Sequence, residues 1–350
     1  MDNNRIDRLI RELPKVDLHL HLDGSVRPGT IMDLADEHGI ELPGKCAEEL
    51  IPFMQVNETC TSLGEYLSKF HFTTRFLQTA AALERVAYEI VEQAAGHSCK
   101  YVEVRFAPQL HREKGLSAEE AIHAVLQGLK RGELQFGVKA RAIAICMRNH
   151  SERENREVIE AAASFIGKGL VAADLAGDEA SYPPERFRGV FAFSQKRDIP
   201  ITIHAGEAAG ADNIYEAVEN LGAARIGHGV RLKENPRILE IVADRRIPLE
   251  MCPISNIQTK AVPSWESYPI RDYFERGLHI TVNTDNPSVS GTNITQEYRV
   301  LAEKFGFTVP ELAKLAMNGL EAAFLEEHEK KALRKEFRRR LSELGIVSAV

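Results

Sequence analysis

A (β/α)8 barrel of the TIM-barrel class, with a helical insertion after its first strand and extra helices at its C-terminus, is the α/β fold this 350-residue sequence predicts. Three observations lead there. Short apolar, β-branched runs alternate with longer amphipathic segments, the pattern of βαβ units and a parallel sheet, and eight such runs suit a closed ring. The length exceeds the roughly 250 residues of a minimal barrel, and the excess falls at about 26–97 and in the tail. Residues able to carry chemistry fall at the ends of the runs, where barrel enzymes build their sites. No linker rich in Gly, Ser or Pro divides the chain, so residues 1–350 are expected to form one domain.

The first strand lies in Val16-Asp17-Leu18-His19-Leu20-His21-Leu22-Asp23-Gly24. Residues two apart on a strand share a face, so His19 and His21 project side by side. Two imidazoles on one strand make half of a transition-metal site, although the stretch alone is equally a strand with two satisfied histidines. After the Gly24-Ser25 turn, apolar residues of 26–97 recur at helical spacing. Leu63, Tyr66, Leu67 and Phe70 share one helix face, which either packs on the body of the protein or forms a lid over a pocket.

The remaining strands are expected at Tyr101–Ala107, Val138–Cys146, Leu170–Ala176, Ile199–His204, Ala224–Gly227, Ile247–Cys252 and His279–Thr284. Helices are expected between them at about Ser117–Leu129, Glu152–Gly167, Pro184–Lys196, Asn213–Leu221, Pro236–Arg245 and Ile270–Glu275, with more beyond strand 8. The basic run Lys330–Arg340 reads as the solvated face of a terminal helix.

Composition narrows the function. With 44 basic and 51 acidic residues and a net charge of −7, the chain offers no basic surface for nucleic acid, so a small-molecule partner is expected. The five cysteines are scattered and form no Cys-X-X-Cys, which argues against disulfides and thiolate zinc sites. The N-terminus lacks the apolar core of a signal peptide, and no run approaches the roughly 18 apolar residues of a membrane span. A soluble cytoplasmic protein with no membrane partner is the expectation.

Closing the ring sets strand 8 beside strand 1 and strand 5 across from it. His204, at the end of Ile199–His204, and Asp285, in Val282-Asn-Thr-Asp, can therefore meet His19 and His21 near the axis. Three imidazoles and a carboxylate suit one Zn2+, or another divalent ion such as Fe2+, with a position left for water or substrate. Zinc lowers the pKa of bound water from about 15.7 to about 7. His228, in Ile226-Gly-His-Gly, is expected to orient that water, and Glu207, three residues past His204, to act as general acid and base. Asp23 and Gly177 sit at the mouths of strands 1 and 4, where side chain or backbone can grip a substrate or merely make a turn.

The motifs His19-X-His21-Leu-Asp23-Gly24, Asp174-Leu-Ala-Gly177-Asp-Glu, His204-Ala-Gly-Glu207, Gly227-His228-Gly229, Cys252-Pro-X-Ser-Asn256 and Asn283-Thr-Asp285 resemble, in order and spacing, those of adenosine deaminases of the metal-dependent amidohydrolase superfamily. The resemblance runs from Leu13 to about residue 325. It implies a single-domain barrel, one zinc ion held by His19, His21, His204 and Asp285, and hydrolytic removal of the purine 6-amino group in purine nucleoside salvage. By the same resemblance Glu207 protonates purine N1, His228 assists the water, Gly177 donates its N–H to N3, and Asp23 binds a ribose hydroxyl. His21 also faces the substrate, and the helix carrying Leu63 to Phe70 belongs to an apolar lid.

One position departs from the family, which often shows two adjacent aspartates: the second is Asn286 here. Purine N7 is an acceptor, and an amide always has donors to offer, so Asn286 is expected to keep that contact. Adenosine is the expected substrate, with 2′-deoxyadenosine beside it. Adenine, AMP, aminodeoxyfutalosine and N6-modified adenine compounds are the alternatives; a ribose partner at Asp23 and the lack of a basic cluster for a 5′-phosphate favour the nucleoside. Two-metal hydrolases often use a carboxylated lysine on strand 4, and Leu170–Ala176 has no lysine. A non-catalytic binding protein would be expected to lack Glu207 or a ligand, and neither is missing. The Pro-Cys-X-X-Cys motif of cytidine-type deaminases is absent.

Overall fold

Eight parallel strands line the centre of the molecule: β1 (Lys15–His21), β2 (Cys99–Phe106), β3 (Lys139–Met147), β4 (Leu170–Ala176), β5 (Thr202–Ala205), β6 (Arg225–His228), β7 (Leu249–Met251) and β8 (Ile280–Val282). The structure is a computed structural model, and it describes residues 3–57 and 60–346. The strands form two four-stranded sheets, β1 to β4 and β5 to β8, in sequential order. Single bridges join the sheets at two seams, Ala173 with Ile201 and Leu20 with Asp285. The second seam is thin in main-chain bonds and is sealed by side chains. Asn283 Oδ1 accepts from Leu18 N at 2.9 Å, and the Thr284 hydroxyl donates to Asp17 at 2.6 Å.

One helix follows each strand on the outside: Ala80–Gly96, Ala118–Phe136, Glu152–Ala163, Arg188–Gln195, Ala211–Glu219, Pro236–Asp244, Ile270–Glu275 and Val309–Ala322. Their starts are encoded locally. Ser117 with Glu120, Ser151 with Glu154, and Thr308 with Glu311 form reciprocal capping boxes that satisfy the first free N–H groups. The helix Ala118–Phe136 runs past its expected end at Leu129, because its buried face continues to Gly132, and stops where Gly137 turns left-handed. The helix from Glu152 ends at Ala163 rather than Gly167, where the chain turns through left-handed Gly167 and Gly169.

The segment 26–97 holds five helices, Pro28–His38, Ala47–Met54, Leu63–Ser68, Phe70–Thr74 and Ala80–Gly96, the last packed on β2. The terminal helix Glu327–Glu343 buries Leu333, Phe337 and Leu341, one apolar stripe at spacing four, and turns most of its basic residues outward. No helix among the described residues is long and apolar enough to cross a membrane.

Branched apolar side chains usually fill the interior of such a barrel. Here it also carries fully buried charge. Arg225 on β6 lies between Glu103 on β2 and Glu250 on β7, 2.7 Å from the latter, and reaches the carbonyl of Ala322 at 2.9 Å. Tyr101 and the Phe324 N–H complete the hydrogen bonding of Glu103 at 2.7 Å each. One layer higher, Arg105 on β2 reaches Glu250 at 2.7 Å and Asp174 on β4 at 3.0 Å. This column of alternating charge ends beneath the histidines.

Candidate active site

At the C-terminal ends of the strands the structure gathers His19, His21, His204, His228, Glu207 and Asp285, all buried. Two of them sit on strained backbone. His228 (φ 65°) and Asp285 (φ 63°) adopt the left-handed region that side chains rarely take, each just at or past a strand end. The ladder explains the second case: Asp285 N donates to His19 O at 2.7 Å and its carbonyl accepts from His21 N at 2.8 Å, so the seam itself turns the carboxylate inward. Gly227 on β6 lies under the ring of His19, where a Cβ would come within 2.9 Å of Cε1.

The outer nitrogens of two histidines are tied to carboxylates. His19 Nδ1 lies 2.9 Å from Glu250 Oε2, and His204 Nδ1 lies 3.1 Å from Asp174. Both carboxylates are held below the usual range despite their burial, Asp174 by the His204 imidazole and then Arg105, Glu250 by Arg105 and Arg225, so they stay ionised and accept from Nδ1; in its neutral form each imidazole then presents the lone pair of Nε2. Burial pushes His204 down to about 4, which keeps it neutral.

These lone pairs converge. His21 Nε2 is 3.2 Å from His204 Nε2 and 3.3 Å from Asp285 Oδ1, and His19 Nε2 is 3.4 Å from the same oxygen. His19 Nε2 is buried without a hydrogen-bond partner. Ring nitrogens and a carboxylate crowded together in a dry site call for a shared proton or a cation between them. Their spacing matches the edges, about 3.3 to 3.4 Å, of a tetrahedron with bonds of about 2.0 to 2.1 Å to a zinc ion. The donor set therefore fits a divalent metal.

Ligand atoms of His19, His204, His228 and Asp285 lie within 4.8 Å of one another, a set that has His228 where the sequence led to His21, so distance alone admits His228 as a ligand. Its tautomer argues otherwise. The Cys252 N–H and the Tyr268 hydroxyl both donate to Asn256 Oδ1, at 3.3 and 3.0 Å, which leaves the Asn256 amide nitrogen facing His228 Nδ1 at 2.9 Å. His228 thus accepts at Nδ1 and carries its proton on Nε2, 3.6 Å from Glu207 Oε2. A protonated nitrogen donates and cannot ligate.

Glu207 is buried, and burial, with the charges of Asp285 and Glu179, pushes its carboxyl up to about 8. It is a neutral acid at pH 7. Thr259, another buried residue, lies beside it with a hydroxyl that has no hydrogen-bond partner. Asp285 Oδ2 accepts from the Ser255 hydroxyl at 2.6 Å, which fixes the rotation of that carboxylate.

Asn286 is buried beside Asp285, with its Oδ1 unpartnered. Its side chain lies over Gly24, where a Cβ would fall 2.0 Å from that oxygen, so the turn after β1 needs glycine for this packing. Asp23 is buried two residues beyond β1, and Gly177 follows β4 directly with φ 109°. Of the residues from Leu63 to Phe70, Tyr66 and Phe70 reach the site. The Tyr66 hydroxyl meets Ser290 Oγ at 2.7 Å, and the Phe70 ring centroid lies 6.4 Å from that of His21. Leu63 and Leu67 are half-buried, and the expected single helix is two, Leu63–Ser68 and Phe70–Thr74, meeting at Lys69.

Sequence reasoning passed over Glu250, Arg105, Thr259 and the orienting role of Asn256. A signal existed for Glu250: a carboxylate inside Ile247–Cys252, a run expected to be buried, requires a partner.

A parallel barrel with converging imidazole and carboxylate donors at its C-terminal face defines a hydrolase of the amidohydrolase class. The sequence profile described as adenosine deaminase matches residues 14–339. An adenosine deaminase from Clostridium botulinum is 43% identical over 325 residues, covering 93% of this chain and 98% of that protein. The adenine deaminase of Arthrobacter aurescens superposes with a TM-score of 0.87 at 29% identity, covering 94% of this chain and 99% of its own. An amidohydrolase from Burkholderia ambifaria with bound Zn gives a TM-score of 0.89 at 27% identity, over 99% of this chain and 96% of its own. The chain belongs to the adenosine deaminase family. It is a hydrolytic deaminase, and adenosine-like purines are the class of substrate it acts on.

Proposed function

We propose that the protein converts adenosine, and 2′-deoxyadenosine, to inosine or its deoxy counterpart and ammonia, with one zinc ion held by His19, His21, His204 and Asp285. The observation that carries this reading is the meeting of imidazole nitrogens and a carboxylate at 3.2 to 3.4 Å, beside the buried carboxyl of Glu207, which burial pushes up to about 8. A divalent ion there supplies Lewis acidity that activates water at neutral pH.

The rest falls to the chain. Glu207, protonated, donates to purine N1 as water adds to C6, so the ring becomes a neutral N–H rather than an anion, and the proton that the water gives up returns to the Glu207 carboxylate. His228, with its proton on Nε2, points a donor at the attacking oxygen and orients it. Gly177 N–H and Asn286 hold the purine edge, Asp23 takes a ribose hydroxyl, and His21 borders the ring. Collapse of the tetrahedral carbon breaks the C6–N bond, and the proton of the C6 hydroxyl passes to the departing amino group, which leaves as ammonia. In this reading residues 1–350 act as one barrel domain, in which the helices of 26–97 include a lid that keeps bulk water out through Tyr66 and Phe70.

The deciding experiment mixes purified protein of known metal content with adenosine, adenine, AMP and aminodeoxyfutalosine, and follows ultraviolet absorbance. A shift toward the inosine spectrum with adenosine alone is expected. A spectral change with adenine alone would favour the second reading, a free-base deaminase, which the likeness to the Arthrobacter enzyme motivates.

A further inference from the structure

Glu179 is a buried carboxylate that the mechanism above leaves unused. It stands three residues past the end of β4, and it reaches across the β4/β5 seam to the turn that follows β5. Its Oε1 accepts from Gly206 N at 2.7 Å and from the Asn213 side chain at 3.1 Å. Its Oε2 accepts from Glu207 N at 3.0 Å, Ala208 N at 2.8 Å and Ala209 N at 3.0 Å.

Four consecutive backbone N–H groups aimed at one point form an anion-binding nest. Such nests commonly hold a ligand's phosphate; here the protein fills its own. A carboxylate offers about four lone-pair sites, so five donors saturate it. The turn 206–209 carries Glu207 and makes these bonds to a residue of another strand's loop, so its place is set from across the seam. The same short segment, Gly177-Asp178-Glu179, begins with the backbone assigned to the far edge of the purine. Arg148 braces the seam beside it, donating to the carbonyls of His204 at 2.8 Å and Tyr182.

We infer that Glu179 is a positioning residue for the deamination: by gripping 206–209 it holds the Glu207 carboxyl in register with the Gly177 N–H, so that one purine meets both at once. The inference rests on the proposed roles of Glu207 and Gly177. Displacement of a reacting group by about 1 Å costs on the order of 100-fold in rate.

The test is Glu179→Gln, which keeps the length but turns an NH2 group toward the N–H donors. In folded protein carrying one equivalent of metal, kcat for adenosine is expected to fall 10- to 100-fold. KM, and binding of the product inosine, should stay within about threefold. A lowered melting temperature with kcat intact would reduce Glu179 to a structural prop and overturn the inference. Should that variant not fold, Asn213→Ala loosens the same grip from its edge and is expected to lower kcat two- to fivefold at constant KM; unchanged kcat there is the overturning result. Glu207→Gln, run alongside, keeps the failures apart. Normal turnover in that variant sinks the proton-donor role itself, whereas loss there with full activity in Glu179→Gln sinks only the positioning.

Discussion

Arg105 and His19 share one carboxylate oxygen: Glu250 Oε2 lies 2.7 Å from the guanidinium and 2.9 Å from the imidazole Nδ1. The other arm of Arg105 holds Asp174, the partner of His204. One buried cation thus contacts both carboxylates that face two candidate ligands and favours their ionised form. Arg105→Lys cannot bridge both carboxylates, and metal affinity is expected to fall 10- to 100-fold. Chelator competition measures it, and an affinity equal to that of the parent would refute the coupling.

Asn256→Asp reverses the relation between residues 256 and 228. A carboxylate accepts, so it would draw the His228 proton onto Nδ1 and leave a bare lone pair where a donor now points. Turnover is expected to drop about 100-fold, within the range for loss of an oriented donor, while metal content holds at one equivalent. Wild-type kcat in this variant would show that the tautomer of His228 does not matter.

The pH profile follows from Glu207. Its value of about 8 lies above the ordinary 4.5, with burial the main cause. The proton is held through neutral pH and released as pH rises through about 8, so a proton donor is present below that point and lost above it. The ratio kcat/KM for adenosine is expected to decline on the alkaline side around pH 8. Glu207→Gln should lose 10²- to 10⁴-fold in turnover while still binding metal and the product inosine. Stability carries the same sign. The contribution of Glu207 is complete below about 4.5 and disappears as the pH rises through about 8, so urea midpoints of parent and Glu207→Gln should diverge across that window.

Arg225→Leu leaves Glu103 and Glu250 facing each other in the interior with half their compensation gone. Breaking one side of a buried ionic cluster costs about 3 to 5 kcal/mol. Urea unfolding should report that loss, and a change under about 1 kcal/mol would mean that the cluster is already hydrated or neutral.

The strands were legible because burial on both faces writes them as apolar runs: β4 and the helix Ile270–Glu275 lie at their expected bounds. Strands β5, β7 and β8 are shorter than their runs. Their flanks still pair, as when Asn283 N donates to Met251 O at 2.9 Å or Ala173 N to Pro200 O at 2.9 Å, but the ladder is irregular there. His19, His21, His204 and Asp285 could be read because they end such runs. The charged column beneath them could not. Its partners are far apart in the chain, 145 positions for Arg105 and Glu250, and each charge alone looks like a solvent-facing residue. Asn286 was visible as a departure, but its packing over Gly24 depends on a seam that only the closed ring creates.

The two seams divide the chemistry as well as the sheet. The β1 to β4 half brings His19, His21, Asp174 and Glu179; the β5 to β8 half brings His204, Glu207, His228, Glu250 and Asp285. Neither half owns an orphaned fragment of activity that could run on its own. In the proposed reading catalysis is a conjunction, true only while both joints are shut, and a ribosome must release the chain past Asp285 before the last candidate ligand can meet the first. Turnover is therefore a stricter gauge of a completed fold than helix content, because it requires both seams.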